Sequence, residues 1–220
     1  MSFSRCPVTR ILTLYPYTAG GSGSHIHVSV HNTTRSRKPD GPDASRAPTL
    51  TPTERSFLQG LLTHLPAVCA LTLPTPPSYG RMHDGIWSGG TYAAWGTDNR
   101  EASVRLTGAQ GSHHFEVRCA DATSNPFLAI AGIVAAGTLG ILRDLQLESG
   151  DCPEGVAFLT EQQRKELGVE NAKRLPRSLE EARKNLEEDK ELRGMLGEEF
   201  FDHYVRLNTV RYYLSIGVMA

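Results

Sequence analysis

Four arginines and one glutamate in the middle of the chain have the residue types of an anion-binding site. Arg81, Arg100, Arg105 and Arg118 lie in one central window, and Glu116 precedes the last of them by two positions. A guanidinium group presents a fixed fork of donors that matches the oxygens of carboxylates and phosphates. A single arginine would more often lie on a solvated face. Four together, with glycines and two tryptophans between them, predict a site for an anionic ligand.

A second group of polar residues lies near the N-terminus. His25-Ile26-His27-Val28-Ser29-Val30 alternates polar and apolar residues, which predicts a strand with His25, His27 and Ser29 on one face. Two histidines that project side by side could bind a metal or a phosphate-bearing ligand. A histidine pair of this spacing is a weak signal by itself, because an ordinary strand can carry it.

Short strands and turns must position the central arginines. The sequence predicts strands over 103–106 and 115–118, and the glycine-containing segment TGAQGS between them indicates an antiparallel hairpin. On the second strand Glu116 and Arg118 share one face, while Phe115 and Val117 share the other.

Helices are predicted on both sides of these strands. Thr51 and Glu54 form a capping box for a helix that we expect to end near Pro66, and Asn125 caps a long helix that is apolar nearly all round. A third cap at Ser178 and a last amphipathic helix over 198–216 follow. We therefore predict an α+β fold, with an antiparallel sheet covered by helices and a helical C-terminal segment.

Composition narrows the class of protein. The chain has 220 residues, a net charge of −1 and a pI near 6.7, which argues against a dedicated nucleic-acid binder. Four scattered cysteines favour a reduced, cytoplasmic environment over a disulfide framework. The most apolar stretch, residues 127–142, is too short and too rich in glycine for a membrane span.

Three motifs, in order, resemble the catalytic domain of the glutamine synthetase family, most closely the synthetase-like domain of the fungal FluG type. They are AGGSGSHIHVSV, SYGRMHDGIWSGGTYAAWGTDNREASVRL and HFEVRCADATSNPFLAIAGIVAAG. The helix-rich tail also resembles the end of the family, so the resemblance covers roughly residues 18–215. It implies a partial synthetase barrel over residues 18–220, preceded by an irregular extension at 1–17 and lacking the family's N-terminal β-grasp domain.

The resemblance also implies an activity and a set of residue roles. The expected reaction joins a carboxylate (glutamate or an analogue) to ammonia or an amine at the expense of ATP, through an acyl phosphate and with Mg²⁺ or Mn²⁺. The expected partners are these small molecules and either further copies of the chain or a complementing N-terminal part, with no nucleic acid or membrane. The resemblance implies that His25 and Glu116 are metal ligands and that Gly21, Arg81 and Arg118 bind the substrate. It implies that His27 and Ser29 bind the nucleotide. Arg100 and Arg105 would take part in both nucleotide binding and catalysis.

The chain departs from the family pattern at several positions. Gly20 stands where the family has asparagine, Trp87 where it has a flap glutamate, and His114 where it has arginine. A bulkier amine or the absence of turnover would suit the change at Trp87. The alternative expectation is therefore a catalytically inactive, ligand- or partner-binding paralogue or fragment. An incomplete barrel should leave one sheet edge and one apolar face uncovered.

Overall fold

A small sheet and six helices make up the computed structural model, which describes residues 23–31 and 41–215. The strands are β1 (Ile26–Val28), β2 (Trp95–Thr97), β3 (Val104–Thr107) and β4 (His114–Val117). The helices are α1 (Pro52–Thr72), α2 (Pro126–Leu142), α3 (Glu161–Glu166), α4 (Leu179–Glu188), α5 (Lys190–Leu196) and α6 (Glu198–Ser215), and a 3₁₀ helix spans Pro76–Arg81. The predicted α+β class is confirmed. The predicted boundary between residues 17 and 18 lies outside the described residues and stays a prediction.

The four strands are ordered β1-β4-β3-β2. The predicted hairpin is confirmed, since β3 and β4 are antiparallel and Arg105 lies opposite Glu116. β1 is also antiparallel to β4, whereas β2 runs parallel to β3, so the sheet is mixed. The three residues of β2 are too few to show an alternation from which its direction could be predicted.

The two edges of the sheet differ. The edge at β2 is covered, because Cys152 N donates to Trp95 O (3.1 Å) and Thr97 N donates to Asp151 Oδ1 (2.7 Å). β1 forms the other edge, and no strand within 23–31 or 41–215 pairs with its outer side. This agrees with the expectation of one uncovered sheet edge.

Helix α1 begins with the predicted capping box. Glu54 N donates to Thr51 Oγ1, and Thr51 N donates to Glu54 Oε2 at 2.7 Å. The prediction that this helix ends near Pro66 is wrong, since α1 continues to Thr72. Proline removes one helical hydrogen bond. The apolar residues beyond it, Val68 and Leu71 among them, are buried, so packing holds the last turns in place.

Helix α1 lies at the centre of the core, between the sheet and α2. The Phe57 ring stacks on Phe115 of β4, with centroids 5.9 Å apart. On the α2 side, a Cβ at Gly137 would lie 2.1 Å from the same ring, and a Cβ at Gly140 would lie 2.0 Å from Ser56 O. The helices therefore approach at backbone distance, which only glycine permits.

The apolar pattern of α2, which runs nearly all round the helix, predicts that α2 is covered on most sides, and this prediction is only partly met. Its inner face is buried, but a stripe of large apolar side chains at helical spacing is exposed, including Phe127 (81%), Ile130, Val134 and Leu142. This is the uncovered apolar face that the expectation of an incomplete barrel requires.

The C-terminal helices close the other side of the core. Ser178 caps α4 by accepting from Glu181 N, but Glu181 Oε2 accepts from Arg177 N, so the predicted capping box is half formed. Gly197, with φ of +93°, separates α5 from α6. Tyr204 of α6 donates to Ala70 O at 2.6 Å, which fixes α6 against α1. In the described part of the chain, none of the helices combines the length and the hydropathy required to cross a membrane.

Candidate functional site

The site lies on the face of the sheet that is turned away from α1. Because side chains alternate along a strand, Phe115 and Val117 of β4 enter the core, whereas Glu116 points to the opposite face. The register places Arg105 of β3 and His27 of β1 opposite Glu116. The pairing of β4 with both neighbours thus gathers polar residues that are far apart in the sequence.

Glu116 is the centre of this cluster. It is 2% exposed, and its carboxylate contacts Arg105 Nε (2.5 Å), Arg118 Nη1 (2.6 Å) and His25 Nδ1 (2.7 Å). Burial alone would raise the pKa of Glu116, but the charges of Arg118 and Arg105 outweigh it and hold the pKa below its ordinary value. Glu116 therefore stays ionised, with more cations than anions around it.

His25 is the predicted metal ligand that lies beside this carboxylate. Burial first, and then the charge of Arg118, lower the pKa of His25, which favours a neutral imidazole. A neutral ring that donates from Nδ1 to Glu116 has a lone pair at Nε2. Nε2 lies close to Gly23, where an added Cβ would be 2.8 Å away, and the same Cβ would be 2.5 Å from Arg81 Nη2. His25 and Arg81 therefore approach each other across Gly23.

Arg81 is a second buried guanidinium at this end of the sheet. It is 6% exposed and donates from Nη1 to Ala120 O at 3.0 Å, while its Nε has no hydrogen-bond partner among the described residues. Burial lowers the pKa of Arg81, and the charge of Asp121 opposes this. A buried donor without a partner is costly unless a ligand satisfies it.

Arg118 connects the carboxylate cluster to two further segments. In addition to Glu116, it donates to Arg100 O (3.2 Å) and to Trp87 O (2.8 Å). The guanidinium of Arg100 lies 5.9 Å from the centroid of the Trp87 ring. The structure therefore brings Arg81, Arg105 and Arg118 around His25 and Glu116, with Arg100 at the rim.

Sequence reasoning missed Glu101 and Asp84, which hold the loop of residues 83–90. Glu101 accepts from Gly85 N at 2.8 Å and from Trp87 N, and Asp84 accepts from Thr91 N at 3.0 Å. An acidic residue next to Arg100, in a segment whose arginines predict an anion site, was the available signal.

The remaining candidates are more peripheral. His27 is exposed, and its ring lies 5.0 Å from that of His114, centroid to centroid. Ser29 is also exposed. Gly21 lies outside the described residues. The predicted roles of these three residues stay predictions.

The cluster supplies an incomplete set of metal donors. His25 and Glu116 are adjacent, but Arg105 and Arg118 already contact the Glu116 oxygens. No group of three or more His, Cys, Asp or Glu side chains within the described residues could hold a metal ion. Magnesium and manganese sites take about six ligands, mostly oxygen, so these residues do not by themselves fit such an ion.

Comparisons with known proteins identify relatives that match most of the chain. Residues 12–212 match the family model described as glutamine synthetase, catalytic domain. The chain is 38% identical over 196 residues to protein fluG of Emericella nidulans, covering 88% of this chain and 20% of that protein. It is 34% identical over 192 residues to glutamine synthetase of Thermotoga maritima, covering 86% and 42%.

Solved structures agree. A novel glutamine synthase homologue superposes with a TM-score of 0.60 at 29% identity, covering 79% of this chain and 37% of that one. A GmaS/ADP complex superposes with a TM-score of 0.67 at 26% identity, covering 91% and 44%. The chain thus spans less than half the length of each of these relatives.

Proposed function

Because the chain belongs to the glutamine synthetase family, we propose that it carries the phosphate- and carboxylate-binding part of an ATP-dependent carbon–nitrogen ligase. The reaction would join glutamate or a related carboxylate to ammonia or an amine. The observation that carries the proposal is the cluster around Glu116, in which one ionised carboxylate faces Arg105, Arg118 and His25.

Each role follows from the charge that the reaction develops. A substrate carboxylate oxygen attacks the γ-phosphorus of ATP, ADP leaves, and an acyl phosphate forms. The amine nitrogen then attacks the acyl carbon, inorganic phosphate leaves, and the amide forms with loss of a proton. Arg100 and Arg105 would neutralise the transferring phosphoryl group, and Arg81, Arg118 and Gly21 would hold the substrate carboxylate.

The proposed nucleotide contacts lie at the open edge of the sheet. His27 on β1 and Ser29 directly after it would contact the nucleotide. His25 and Glu116 would contribute to a Mg²⁺ or Mn²⁺ site, whose further ligands would have to come from outside the described residues.

The incomplete set of metal donors among residues 23–31 and 41–215 favours a second candidate function. In it, the chain is a synthetase-like protein that binds an anionic ligand without turning it over. The first candidate predicts ATP binding and an amide product, whereas the second predicts binding of an anion without an amide product.

Isothermal titration of the purified chain with ATP, with and without Mn²⁺, tests the proposal. A γ-glutamyl transferase assay on the same sample separates the two candidates. We expect Arg105→Gln to weaken ATP binding about tenfold or more, because a charge-assisted contact to phosphate is lost. Arg177→Gln makes the same change at an exposed arginine before α4 and should leave the affinity unchanged. Equal losses in both variants, or no ATP binding by the unmodified chain, would contradict the proposal.

A further inference from the structure

The loop of residues 83–90 presents a large aromatic surface beside the arginine cluster. Trp87 is 67% exposed, and its backbone φ is +57°. Positive φ is unfavourable for a bulky side chain, and such a conformation persists only where the surroundings impose it. An exposed tryptophan in a strained conformation is a candidate for ligand contact.

Trp87 is held through its backbone at both ends. Its N–H donates to Glu101, which also accepts from Gly85 N at 2.8 Å, and its carbonyl accepts from Arg118 Nη2 at 2.8 Å. The loop closes against the backbone of Glu101 as well, since a Cβ at Gly90 would lie 2.2 Å from Glu101 O. The conformation of Trp87 is thus fixed from the cluster on one side and from Glu101 on the other.

The chemistry of this loop differs from that of the adjoining cluster. Arg81, Arg105 and Arg118 repel a protonated amine, whereas the face of an indole ring attracts cations and the carboxylate of Glu101 carries negative charge. The ring also offers apolar area that ammonium cannot use but an apolar or aromatic substituent can. Arg100 lies 5.9 Å from the ring centroid, so one cationic contact to the ring is already made, and a substrate substituent would use the remaining exposed surface of the ring.

We propose that Trp87 recognises an amine substrate that carries an apolar or aromatic substituent, and that Glu101 is the residue that positions Trp87. This proposal rests on the proposed function, because it assigns the nucleophile of that reaction. Trp87 makes the contact with the substituent. Glu101 acts through the loop and touches no substrate.

The test compares phenethylamine with methylamine as probes, by isothermal titration of the full chain in the presence of ATP and Mn²⁺. We expect phenethylamine to bind about tenfold or more tightly than methylamine, because an aromatic anchor of this kind contributes more than 1 kcal/mol. Trp87→Ala should abolish the difference between the two amines. Trp87→Phe, which keeps an aromatic ring, should retain part of it and guards against a folding defect in the alanine variant.

Tryptophan fluorescence, together with the unfolding midpoint, distinguishes a local effect of Glu101 on Trp87 from a general loss of stability. The chain has two tryptophans, and since Trp95 is 2% exposed, acrylamide quenching reports mainly on Trp87. Glu101→Gln should change the quenching of Trp87 and lower phenethylamine affinity, while ATP affinity and the unfolding midpoint stay unchanged. Glu187→Gln, at an exposed glutamate on α4, is the matched control.

The outcomes separate this proposal from the proposed function. If ATP binds but phenethylamine binds no more tightly than methylamine, the amine-recognition proposal is overturned and the proposed function stands. If phenethylamine binding depends on Trp87 but ATP does not bind, Trp87 recognises the amine but the proposed function is overturned, and with it the role of the amine as nucleophile. A loss of amine affinity in Glu101→Gln without any change in quenching would overturn the positioning role.

Discussion

Two buried carboxylates in this chain are surrounded by cations in different proportions. Asp43, next to the start of α1, faces one guanidinium: Arg55 Nε lies 3.1 Å from Asp43 Oδ2 as an ion pair, and Leu147 N donates to the same oxygen at 2.9 Å. Asp43 is 6% exposed and Arg55 is 1% exposed. Glu116, on the sheet face, is equally buried but contacts two guanidinium groups and one imidazole.

The difference in charge balance separates a pair that stabilises the fold from a cluster that we propose binds a ligand. A buried carboxylate that is matched by one guanidinium leaves no net charge, so the pair joins two segments of the chain. A carboxylate outnumbered by cations leaves positive charge that an anion can neutralise. Removing one partner should therefore destabilise the fold strongly in the first cluster and only weakly in the second.

The largest loss of stability is expected from Asp43→Asn. Arg55 would lose its ion pair with Asp43, and breaking a buried pair on one side costs about 3–5 kcal/mol. Urea unfolding at neutral pH measures this loss. Asp202→Asn, at an exposed position on α6, should change the free energy of unfolding little. A loss in Asp43→Asn no larger than that of the control would contradict the comparison.

Asp189 and His64 form a second pair of this kind, and its contribution to stability can be tested by changing the pH. It accepts from His64 Nδ1 at 2.7 Å and caps α5 by accepting from Leu192 N at 3.0 Å. Burial alone would raise the pKa of Asp189, but these hydrogen bonds outweigh it and lower the pKa below its ordinary value of 3.8. The stabilisation is therefore complete above that value and is lost as the pH falls through the lower pKa of the folded state.

We expect Asp189→Asn to lower the free energy of unfolding at pH 7 by about 1–3 kcal/mol, the contribution of a charged hydrogen bond together with a cap. The difference from the unmodified chain should shrink steadily once the pH is below the ordinary aspartate range. Urea unfolding across this range measures it. A difference that grows on acidification would show that the carboxylate of Asp189 is not the source of the stability.

The smallest effect on stability is expected from Arg105→Gln. Arg118 still contacts Glu116 in this variant, and the repulsion between Arg105 and Arg118 is relieved, so the free energy of unfolding should change by less than about 1 kcal/mol. The same variant is the one expected to lose ATP affinity. A loss of several kcal/mol would mean that Glu116 and Arg105 form a structural pair like Asp43 and Arg55.

Local patterns sufficed to predict much of the fold. The capping box at Thr51, the proline-initiated helix after Asn125 and the hairpin that carries Glu116 all depend on residues close in sequence. The continuation of α1 through Pro66 did not follow from such patterns, because it is stabilised by packing against α2 and the sheet. The half-formed cap at Ser178 depends on a competing contact with Arg177 N.

The site was predictable as a set of residue types but not as an arrangement. The convergence of His25 and Arg105 on Glu116 requires the strand order β1-β4-β3, which no local pattern contains. Glu101 escaped prediction for a related reason. Its carboxylate accepts hydrogen bonds from backbone N–H groups 14 and 16 positions earlier. Backbone donors do not depend on the side chain, so the residue types do not reveal these contacts.

The alternation of side chains along β4 limits how the sequence of this site can change in evolution. Residues Phe115 and Val117 fill the core while Glu116 serves the site, so core and site occupy alternate positions of the same four-residue strand. Inserting or deleting one residue here would turn Glu116 inward and Phe115 outward, and both functions would fail together. The exposed turn of residues 108–112 is the part of this hairpin that can tolerate changes in length, whereas the strand itself is expected to change by substitution.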